Sequence, residues 1–191
     1  MMLQSNGHFA VLFTHYDHAM NHLLLNQFGK MGRWVLYFYV CWPGWVIADT
    51  YFAWATRVGD GDTLWVRQDK SQSTRKLRLL DMDAPELCQS GGVASREALR
   101  QWVQGRRLRV TVKFQDIYGR DLAQVHADGQ NVNAQMVQEG QAWAGRWHGK
   151  IGAYAVQETQ ARAKRLGICA QPNPELPSDF RKRHGSCFFR R

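Results

Sequence analysis

Apolar and polar residues alternate, or gather into short apolar runs, in five segments between residues 52 and 127. The segments are residues 52–58, 63–67, 76–80, 108–114 and 122–127. A repeat of two residues places successive side chains on opposite faces of a strand, so each segment is predicted to be a β-strand. Tight turns are predicted where Gly59-Asp60-Gly61-Asp62 separates the first two segments and where Asp128-Gly129 follows the fifth.

Three other segments have the residue spacing of a helix. Apolar side chains recur three and four positions apart in residues 94–103, and helices are also predicted at residues 133–139 and 154–165. Asn133 is the predicted N-cap of the second helix, because an asparagine side chain accepts hydrogen bonds from the free amides of a first turn. Gly140 is predicted to end this helix, because glycine tolerates the left-handed backbone that follows a last turn. The prolines beyond residue 170 predict an irregular tail.

Five strands with a helix between the third and the fourth predict an α+β fold that is mainly β. The arrangement is that of an OB-fold, a five-stranded Greek-key barrel, here with about three helices. Barrels of this kind commonly bind oligonucleotides, but the fold alone does not determine the function. We expect the functional side chains in the turns at the mouth of the barrel, where side chains from separate strands converge.

The first 48 residues differ from the rest of the chain in charge and hydropathy. Residues 34–48 form an uncharged apolar run, and Lys30 and Arg33 stand just before it. This order is typical of a secretory signal peptide at residues 31–48 and predicts a secreted or periplasmic protein. Translation is then expected to begin at Met31, so residues 1–30 are expected to be disordered or not part of the natural product.

A membrane anchor is the alternative for the same apolar run. The 15 uncharged residues are fewer than the roughly 20 that a spanning helix needs. An anchor over residues 34–55 would be long enough, but it would bury Asp49, which is costly. The signal peptide is therefore the favoured interpretation.

The composition of the chain narrows the class of protein to which it can belong. The 191 residues are 45% hydrophobic and 12% aromatic, which excludes a disordered or collagen-like protein. The length suits one domain with appendages, or at most two small domains. Lys and Arg number 25 against 16 Asp and Glu, and this net charge of +9 favours a polyanionic partner, either nucleic acid or an anionic membrane. A soluble basic protein without such a partner is the alternative.

Four cysteines are present, and Cys41 falls within the predicted leader. The remaining Cys88, Cys169 and Cys187 predict one disulfide and one free thiol in an exported protein. A disulfide from Cys88 to Cys187 or Cys169 would join a barrel loop to the tail, and Cys187 is favoured because the tail has no other anchor. A zinc site at His184, Cys169 and Cys187 is not expected, because a well-spaced fourth ligand is missing.

Three short clusters place acids or arginines beside turns. They are Asp60-Gly-Asp62-Thr63, the run from Arg78 to Glu86, and Asp116-Ile-Tyr118-Gly119-Arg120. Each alone has a structural explanation, as an Asp-Gly turn, a helix start favoured by acids, or a salt-bridged loop. Their joint occurrence on this strand pattern points instead to one site at the barrel mouth.

The chain resembles the staphylococcal nuclease family. The resemblance rests on DGDT at residues 60–63, RLLDMDAPE at residues 78–86 and DIYGR at residues 116–120, in this order and spacing. It continues through ADGQNVNAQMVQEGQAW at residues 127–143 and the ARAKRLG of the last predicted helix, and covers about residues 52–169. It implies a nuclease domain of the OB-fold type at residues 49–169, followed by a basic, proline-containing tail at residues 170–191.

The resemblance also implies a calcium-dependent enzyme that hydrolyses phosphodiester bonds of DNA and/or RNA, as a monomer without a stable protein partner. It implies that Ca²⁺ is held by the carboxylates of Asp62 and Asp83 and by the backbone carbonyl of Ala84, since hard cations prefer oxygen ligands. Asp60 would fix the turn that presents Asp62. Where the best-known members have threonine, this chain has Ala84, which keeps the carbonyl and loses the hydroxyl.

For catalysis, the resemblance makes Glu86 the general base or the group that orients the attacking water. Arg78 and Arg120 would hold the phosphate and stabilise its transition state, because arginine stays charged and presents a planar fork of donors. Tyr118 would contact a nucleotide phosphate. Ile117 replaces a lysine that contacts substrate phosphate in some members.

Other functions remain open at this stage. A non-catalytic nucleic-acid-binding module on the same scaffold is one, although all the expected metal and base residues are present. A membrane-anchored domain that binds acidic lipid or polysaccharide is another. The basic residues 181–184 are either an extra nucleic-acid contact or a solvated tail, and Trp147 is a better candidate for base stacking than Trp143, which is expected in the core.

Overall fold

The predicted strands close into a barrel in the computed structural model, which describes residues 49–187. Within these residues the strands, in chain order, are β1 (Asp49–Val58), β2 (Thr63–Gln68), β3 (Thr74–Leu79), β4 (Met82–Asp83), β5 (Arg107–Gln115), β6 (Asp121–Ala127), β7 (Gln130–Asn131), β8 (Trp143–Ala144), β9 (Arg146–Trp147) and β10 (Lys150–Ile151). The helices are α1 (Gly92–Val103), α2 (Val132–Gln138), α3 (Ala155–Ala163) and α4 (Pro177–His184), with a short 3₁₀ helix at Gly167–Ala170.

The main sheet has the order β3-β2-β1-β5-β6-β7, and its β3 edge pairs with β6 to close it. The closing pair is parallel and sets Leu77 beside Asp121 and Leu79 beside Ala123, whereas the other pairs are antiparallel. Two-strand sheets β4–β8 and β9–β10 lie outside this main sheet. The predicted OB-type barrel, mainly β with added helices, is confirmed.

The barrel interior is filled by the apolar side chains that the alternation pattern assigned to one face. In β5, Leu108 and Val110 are fully buried while the intervening Arg109 is exposed. Leu99 of α1 and Met136 of α2 are also fully buried and extend the core across the two helices. Each fully buried Leu or Met contributes about 1.5–3 kcal/mol relative to an exposed position, so this core stabilises the barrel that carries the site.

The predicted N-cap of the second helix is wrong by two residues. Asn131 has extended backbone dihedrals, and its side chain accepts from the Ala134 amide at 3.1 Å, so Asn131 is the N-cap. Asn133 is fully buried inside α2, where it accepts from the Val125 amide at 3.0 Å. It also donates to the Leu80 carbonyl at 3.0 Å and so satisfies backbone groups beside the β3–β6 closure.

The tail contains a helix where the sequence predicts irregular structure. Pro177 occupies the first turn of α4. Backbone N–H groups of a first turn have no acceptor within the helix, so the lack of an N–H in proline breaks no hydrogen bond there. A disulfide joins Cys88 to Cys187, as favoured from the sequence, with the two Cα atoms 5.8 Å apart. Cys169 is a free cysteine and is half-buried.

The leader predictions fall mostly outside the described residues. The structure does not describe residues 1–48 or residues 188–191. The start at Met31 and the signal peptide at residues 31–48 therefore stay predictions. Of the alternative anchor at residues 34–55, the last seven residues belong to β1. In residues 49–187, none of the helices has the length and apolar character needed to span a bilayer.

Candidate active site

The turn between β1 and β2 holds Asp62 inward at the mouth of the barrel. The Gly59 amide donates to the Thr63 carbonyl at 2.8 Å, and the Asp62 amide donates to the Asp60 carboxylate at 3.0 Å. A Cβ at Gly61 would lie 1.8 Å from the Ser95 hydroxyl, so only glycine fits at that position. Asp60 therefore stabilises the turn that presents Asp62, as the resemblance implies.

The Asp62 carboxylate is nearly inaccessible to solvent, with 3% of the residue exposed. Its Oδ1 accepts from the Thr63 hydroxyl and from Arg78, both at 2.9 Å, and its Oδ2 accepts from the Ala84 amide at 3.2 Å. Burial raises the pKa of Asp62 to about 6, even though the Arg78 charge acts in the opposite direction. A further cation near this carboxylate would therefore be favourable.

Arg78 joins the first two sequence clusters. It lies on β3, and while its Nη1 reaches Asp62, its Nη2 donates to Oδ1 of Asp83 at 2.7 Å. Asp83 is held by the short β4 strand, in which it pairs with Trp143 of β8. Asp62, Arg78, Asp83 and the Ala84 amide thus form one hydrogen-bonded group.

Glu86 is joined to this group by a side chain from the far end of the chain. Nη1 of Arg181, in α4, donates to Glu86 Oε1 at 3.0 Å and to Asp83 Oδ1 at 3.2 Å. Nη2 of Arg181 donates to Asp83 Oδ2 at 3.0 Å. Burial lowers the pKa of Arg181, but the hydrogen bonds and charges of Asp83 and then Glu86 outweigh it, so the pKa is raised and the guanidinium stays charged.

Sequence reasoning placed Arg181 in the basic tail and did not connect it with Asp83 or Glu86. The favoured Cys88–Cys187 pairing was the available signal. Cys88 follows Glu86 by two residues, and Arg181 precedes Cys187 by six. A disulfide between the two therefore already required α4 to lie near the loop that carries Glu86.

The third cluster forms a separate loop between β5 and β6. Asp116 accepts from the Tyr118 and Arg120 amides at 2.9 Å and from Arg120 Nε at 2.7 Å. Tyr118 is 76% exposed, and the Arg120 guanidinium lies 5.4 Å from the centre of its ring. Among residues 49–187, no hydrogen bond or ion pair joins Tyr118 or Arg120 to the group around Asp62. Arg120 pairs with Asp116 instead.

A cavity of about 290 Å³ lies between α4 and the barrel. Its lining includes Arg78, Asp83, Trp143, Arg146, Pro177 and Arg181. Trp143 is 2% exposed and belongs to the core as expected, whereas Trp147 is 78% exposed and available for stacking. Arg146 pairs at 2.8 Å with the buried Glu158 of α3, so its charge is held beside the cavity.

The oxygen atoms of the first two clusters suit a hard divalent cation. No group of three or more His, Cys, Asp or Glu side chains within residues 49–187 is arranged to hold a metal ion. The implied set has only two such side chains, Asp62 and Asp83, with the Ala84 carbonyl, and oxygen sets of this kind leave water to complete the coordination. Both carboxylates already contact one cationic group, Arg78, so the residues present fit a shared cation.

Comparison with known proteins shows that this small barrel, with two carboxylates, an arginine and a glutamate at its mouth, belongs to a phosphodiester-hydrolysing enzyme of the nuclease class. Residues 76–171 match the family described as Staphylococcal nuclease homologue, and the chain belongs to that family. The predicted family and the predicted class of enzyme are both confirmed.

Individual relatives give the same assignment. A protein named Micrococcal nuclease from Shigella flexneri is 38% identical over 147 residues, covering 68% of this chain and 83% of that protein. A protein named Uncharacterized endonuclease from Haemophilus influenzae is 36% identical over 126 residues, covering 66% of this chain and 70% of that protein. Another protein with that name, from Escherichia coli O157:H7, is 35% identical and covers 76% of this chain and 94% of its own length.

Proposed function

We propose that this nuclease hydrolyses phosphodiester bonds of DNA and/or RNA by metal-assisted attack of water, and that its metal is Ca²⁺. The observation that carries the proposal is the contact of one guanidinium, that of Arg78, with both Asp62 and Asp83. Two carboxylates that share one cationic partner in a buried setting are the oxygen ligands that a hard cation requires.

Asp62, Asp83 and the carbonyl of Ala84 would hold the cation. When bound, Ca²⁺ acts as a Lewis acid that offsets the negative charge gathering on the phosphate. Arg78 contributes a positive charge at the same place that does not depend on pH in the working range. Charges fixed in advance inside a partly buried site stabilise the transition state without further reorganisation.

Glu86 would accept a proton from the attacking water. The water oxygen forms a bond to phosphorus, the bond to the leaving nucleoside oxygen breaks, and that oxygen takes up a proton from solvent, to which Glu86 later returns its own. Arg120 would neutralise a phosphate oxygen, and for this it has to exchange its 2.7 Å contact with Asp116 for the substrate. The exposed ring of Tyr118 lies beside Arg120 and would contact an adjacent phosphate.

The net charge of +9 supports a polyanionic substrate, since basic side chains attract the phosphate backbone whatever its sequence. Trp147, whose ring is exposed, would stack on a base of single-stranded substrate. The features named here interact with phosphates and base faces, which DNA and RNA share.

Digestion of single-stranded DNA and of RNA with Ca²⁺ and with a chelator tests the proposal. Cleavage with Ca²⁺ that stops with chelator is the expected result, and Mg²⁺ or Mn²⁺ in place of Ca²⁺ tests the choice of ion. Cleavage unaffected by chelator would contradict the metal-assisted mechanism. Binding without cleavage under every condition would favour a non-catalytic nucleic-acid-binding module on the same scaffold.

We also propose that the enzyme is exported by its leader. The Cys88–Cys187 disulfide supports this, because stable disulfides are typical of oxidising compartments. N-terminal sequencing of the protein recovered outside the cytoplasm is the test. A mature chain that begins near Asp49 is expected, and a stable N-terminus at Met1 would contradict the proposal.

A further inference from the structure

The C-terminal helix α4 inserts a positive charge between two acidic groups of the site. Arg181 donates three hydrogen bonds, two of them to Asp83 and one to Glu86, at 3.0 to 3.2 Å. Hydrogen bonds between a guanidinium and a carboxylate are strong because both groups are charged. Both oxygens of Asp83 are engaged, since Arg78 shares Oδ1 and Arg181 binds Oδ1 and Oδ2.

Arg181 differs from the other basic residues of the same helix. Lys182 and Arg183 have side chains 75% and 63% exposed and pair with Asp179 and Glu175, which belong to the same C-terminal segment. The Arg181 side chain is 31% exposed and pairs with residues almost a hundred positions earlier in the chain. A solvated basic tail accounts for its two neighbours but does not account for Arg181.

Two independent connections keep α4 against the site. The disulfide from Cys187 ends at Cys88, two residues after Glu86. Gln89 donates to the Glu175 carbonyl at 2.8 Å, and its own side-chain oxygen accepts from the Glu86 amide at 3.1 Å. A side chain tethered in this way has a high effective concentration at its partner, so Arg181 returns to the carboxylates whenever it leaves them.

We propose that Arg181 is an active-site residue that competes with the divalent cation for Asp83 and occupies Glu86 until the cation is bound. The inference rests on the proposed calcium-dependent function. To bind an oxygen of Asp83, the cation has to displace the Arg181 guanidinium, which is also positively charged. This displacement also frees Glu86 to accept a proton from water. The Cys88–Cys187 tether thereby sets the cation concentration at which the enzyme becomes competent.

Calorimetric titration of Ca²⁺ into the oxidised full-length chain, without substrate, tests this competition directly. Arg181→Gln should lower the dissociation constant for Ca²⁺ about tenfold or more, because a charge-assisted contact no longer has to be broken. Arg181→Lys keeps the charge but loses the planar fork of donors. Its dissociation constant for Ca²⁺ should therefore lie between those of the original chain and of Arg181→Gln. Arg183→Gln removes the same charge from the same helix and should leave the constant within about twofold of the original.

The tether is tested with the double variant Cys88→Ser and Cys187→Ser. Its dissociation constant for Ca²⁺ should be lower than that of the oxidised chain but higher than that of Arg181→Gln, because the Gln89 contact with Glu175 still holds α4. Equal dissociation constants for the original chain and Arg181→Gln would overturn the inference, as would weaker binding by Arg181→Gln. Absence of Ca²⁺ binding in every variant would overturn both this inference and the calcium proposal, whereas equal binding throughout overturns only the inference.

Discussion

Nη1 of Arg78 lies 2.9 Å from Oδ1 of Asp62, a carboxylate that the barrel almost completely removes from water. The two charges come from adjacent strands, since β2 begins beside Asp62 and pairs with β3, which carries Arg78. Removal of Arg78 would leave the buried Asp62 charge without compensation, whereas Arg78 keeps Asp83 as a partner when Asp62 is neutral. Arg78 therefore offsets part of the cost of burying the Asp62 charge and places that charge in the site.

Arg78→Lys should lower kcat by about a hundredfold or more, since a lysine ammonium cannot reach Asp62 and Asp83 in the bidentate manner of the guanidinium. Steady-state cleavage of single-stranded DNA is the measurement. Arg75→Lys is a matched control, because Arg75 also lies on β3 and also bridges two acids, Asp49 and Asp121. Loss of activity in Arg75→Lys equal to that in Arg78→Lys would mean that Arg78 acts only through stability.

Asp62→Asn should stabilise the protein at pH 8 in cation-free buffer. The Asp62 pKa is about 6 when folded against 3.8 for the ordinary group, so the native state binds the proton more tightly than the unfolded state. Ionisation of Asp62 then lowers the free energy of unfolding as pH rises from about 4 to about 6. The loss above pH 6 is about 3 kcal/mol, and the asparagine variant avoids it.

Thermal unfolding across pH 4 to 8 checks this prediction. The advantage of Asp62→Asn should be complete above pH 6 and should disappear as the pH approaches 4. Added Ca²⁺ should raise the melting temperature of the original chain more than that of the variant, because a ligand stabilises the state that binds it. A variant that melts below the original chain at pH 8 would contradict the assignment of Asp62 as a buried carboxylate whose ionisation lowers stability.

Glu86→Gln should reduce kcat by about a hundredfold to ten-thousandfold and leave binding of nucleic acid nearly unchanged. Glutamine keeps the oxygen that accepts from Arg181 but cannot take a proton from water. Single-turnover cleavage and equilibrium binding to a short oligonucleotide separate the two effects. Glu97→Gln, on the exposed side of α1, should leave kcat intact, and an unchanged rate in Glu86→Gln would exclude Glu86 as the base.

Ile117→Lys should lower KM several-fold and make binding more sensitive to salt. Ile117 is 92% exposed beside Tyr118, so a lysine there meets no steric obstacle and adds a phosphate contact. One added contact steepens the dependence of log affinity on log salt by a little less than one. Val156→Lys adds the same charge on the exposed face of α3, and an equal salt effect there would mean that the charge acts non-specifically.

The strands could be predicted from the sequence because an alternation of apolar and polar residues follows from the geometry of a single strand, whose successive side chains point to opposite faces. Residues 108–114 and 122–127 both became strands, in which Leu108, Val110 and Val112, and Ala123, Val125 and Ala127, are buried. Phe114 is exposed because the register shifts between Val112 and Phe114. The N-cap error at Asn133 has a different origin. Asn131 and Asn133 are equally good caps in isolation, and only the three backbone groups beside the barrel closure explain why Asn133 is turned inward.

The acidic half of the site could be predicted from its motifs, whereas the Cys88–Cys187 pairing indicated only that the tail lies near Glu86, not that Arg181 contacts it. Asp62 immediately precedes β2, which pairs with β3, and Asp83 follows Arg78 of β3 by five residues, so a correct pairing of β2 with β3 brings the three together. Arg181 reaches Glu86 across 95 positions and through a helix that the prolines concealed, because proline is tolerated in a first turn. No local pattern encodes a contact of that range.

The bond between Cys88 and Cys187 also determines what a protease could do to this enzyme. Any single cut between those positions, for example in the exposed loop at Tyr118 or beside Trp147, yields two fragments that the disulfide still joins. After either cut, Asp62, Asp83 and Glu86 would belong to the first fragment and Arg181 to the second, yet both fragments would remain one covalent molecule. A nicked chain would therefore run as one species without reductant and as two with it, and the disulfide would keep Arg181 in the same molecule as Asp83 and Glu86.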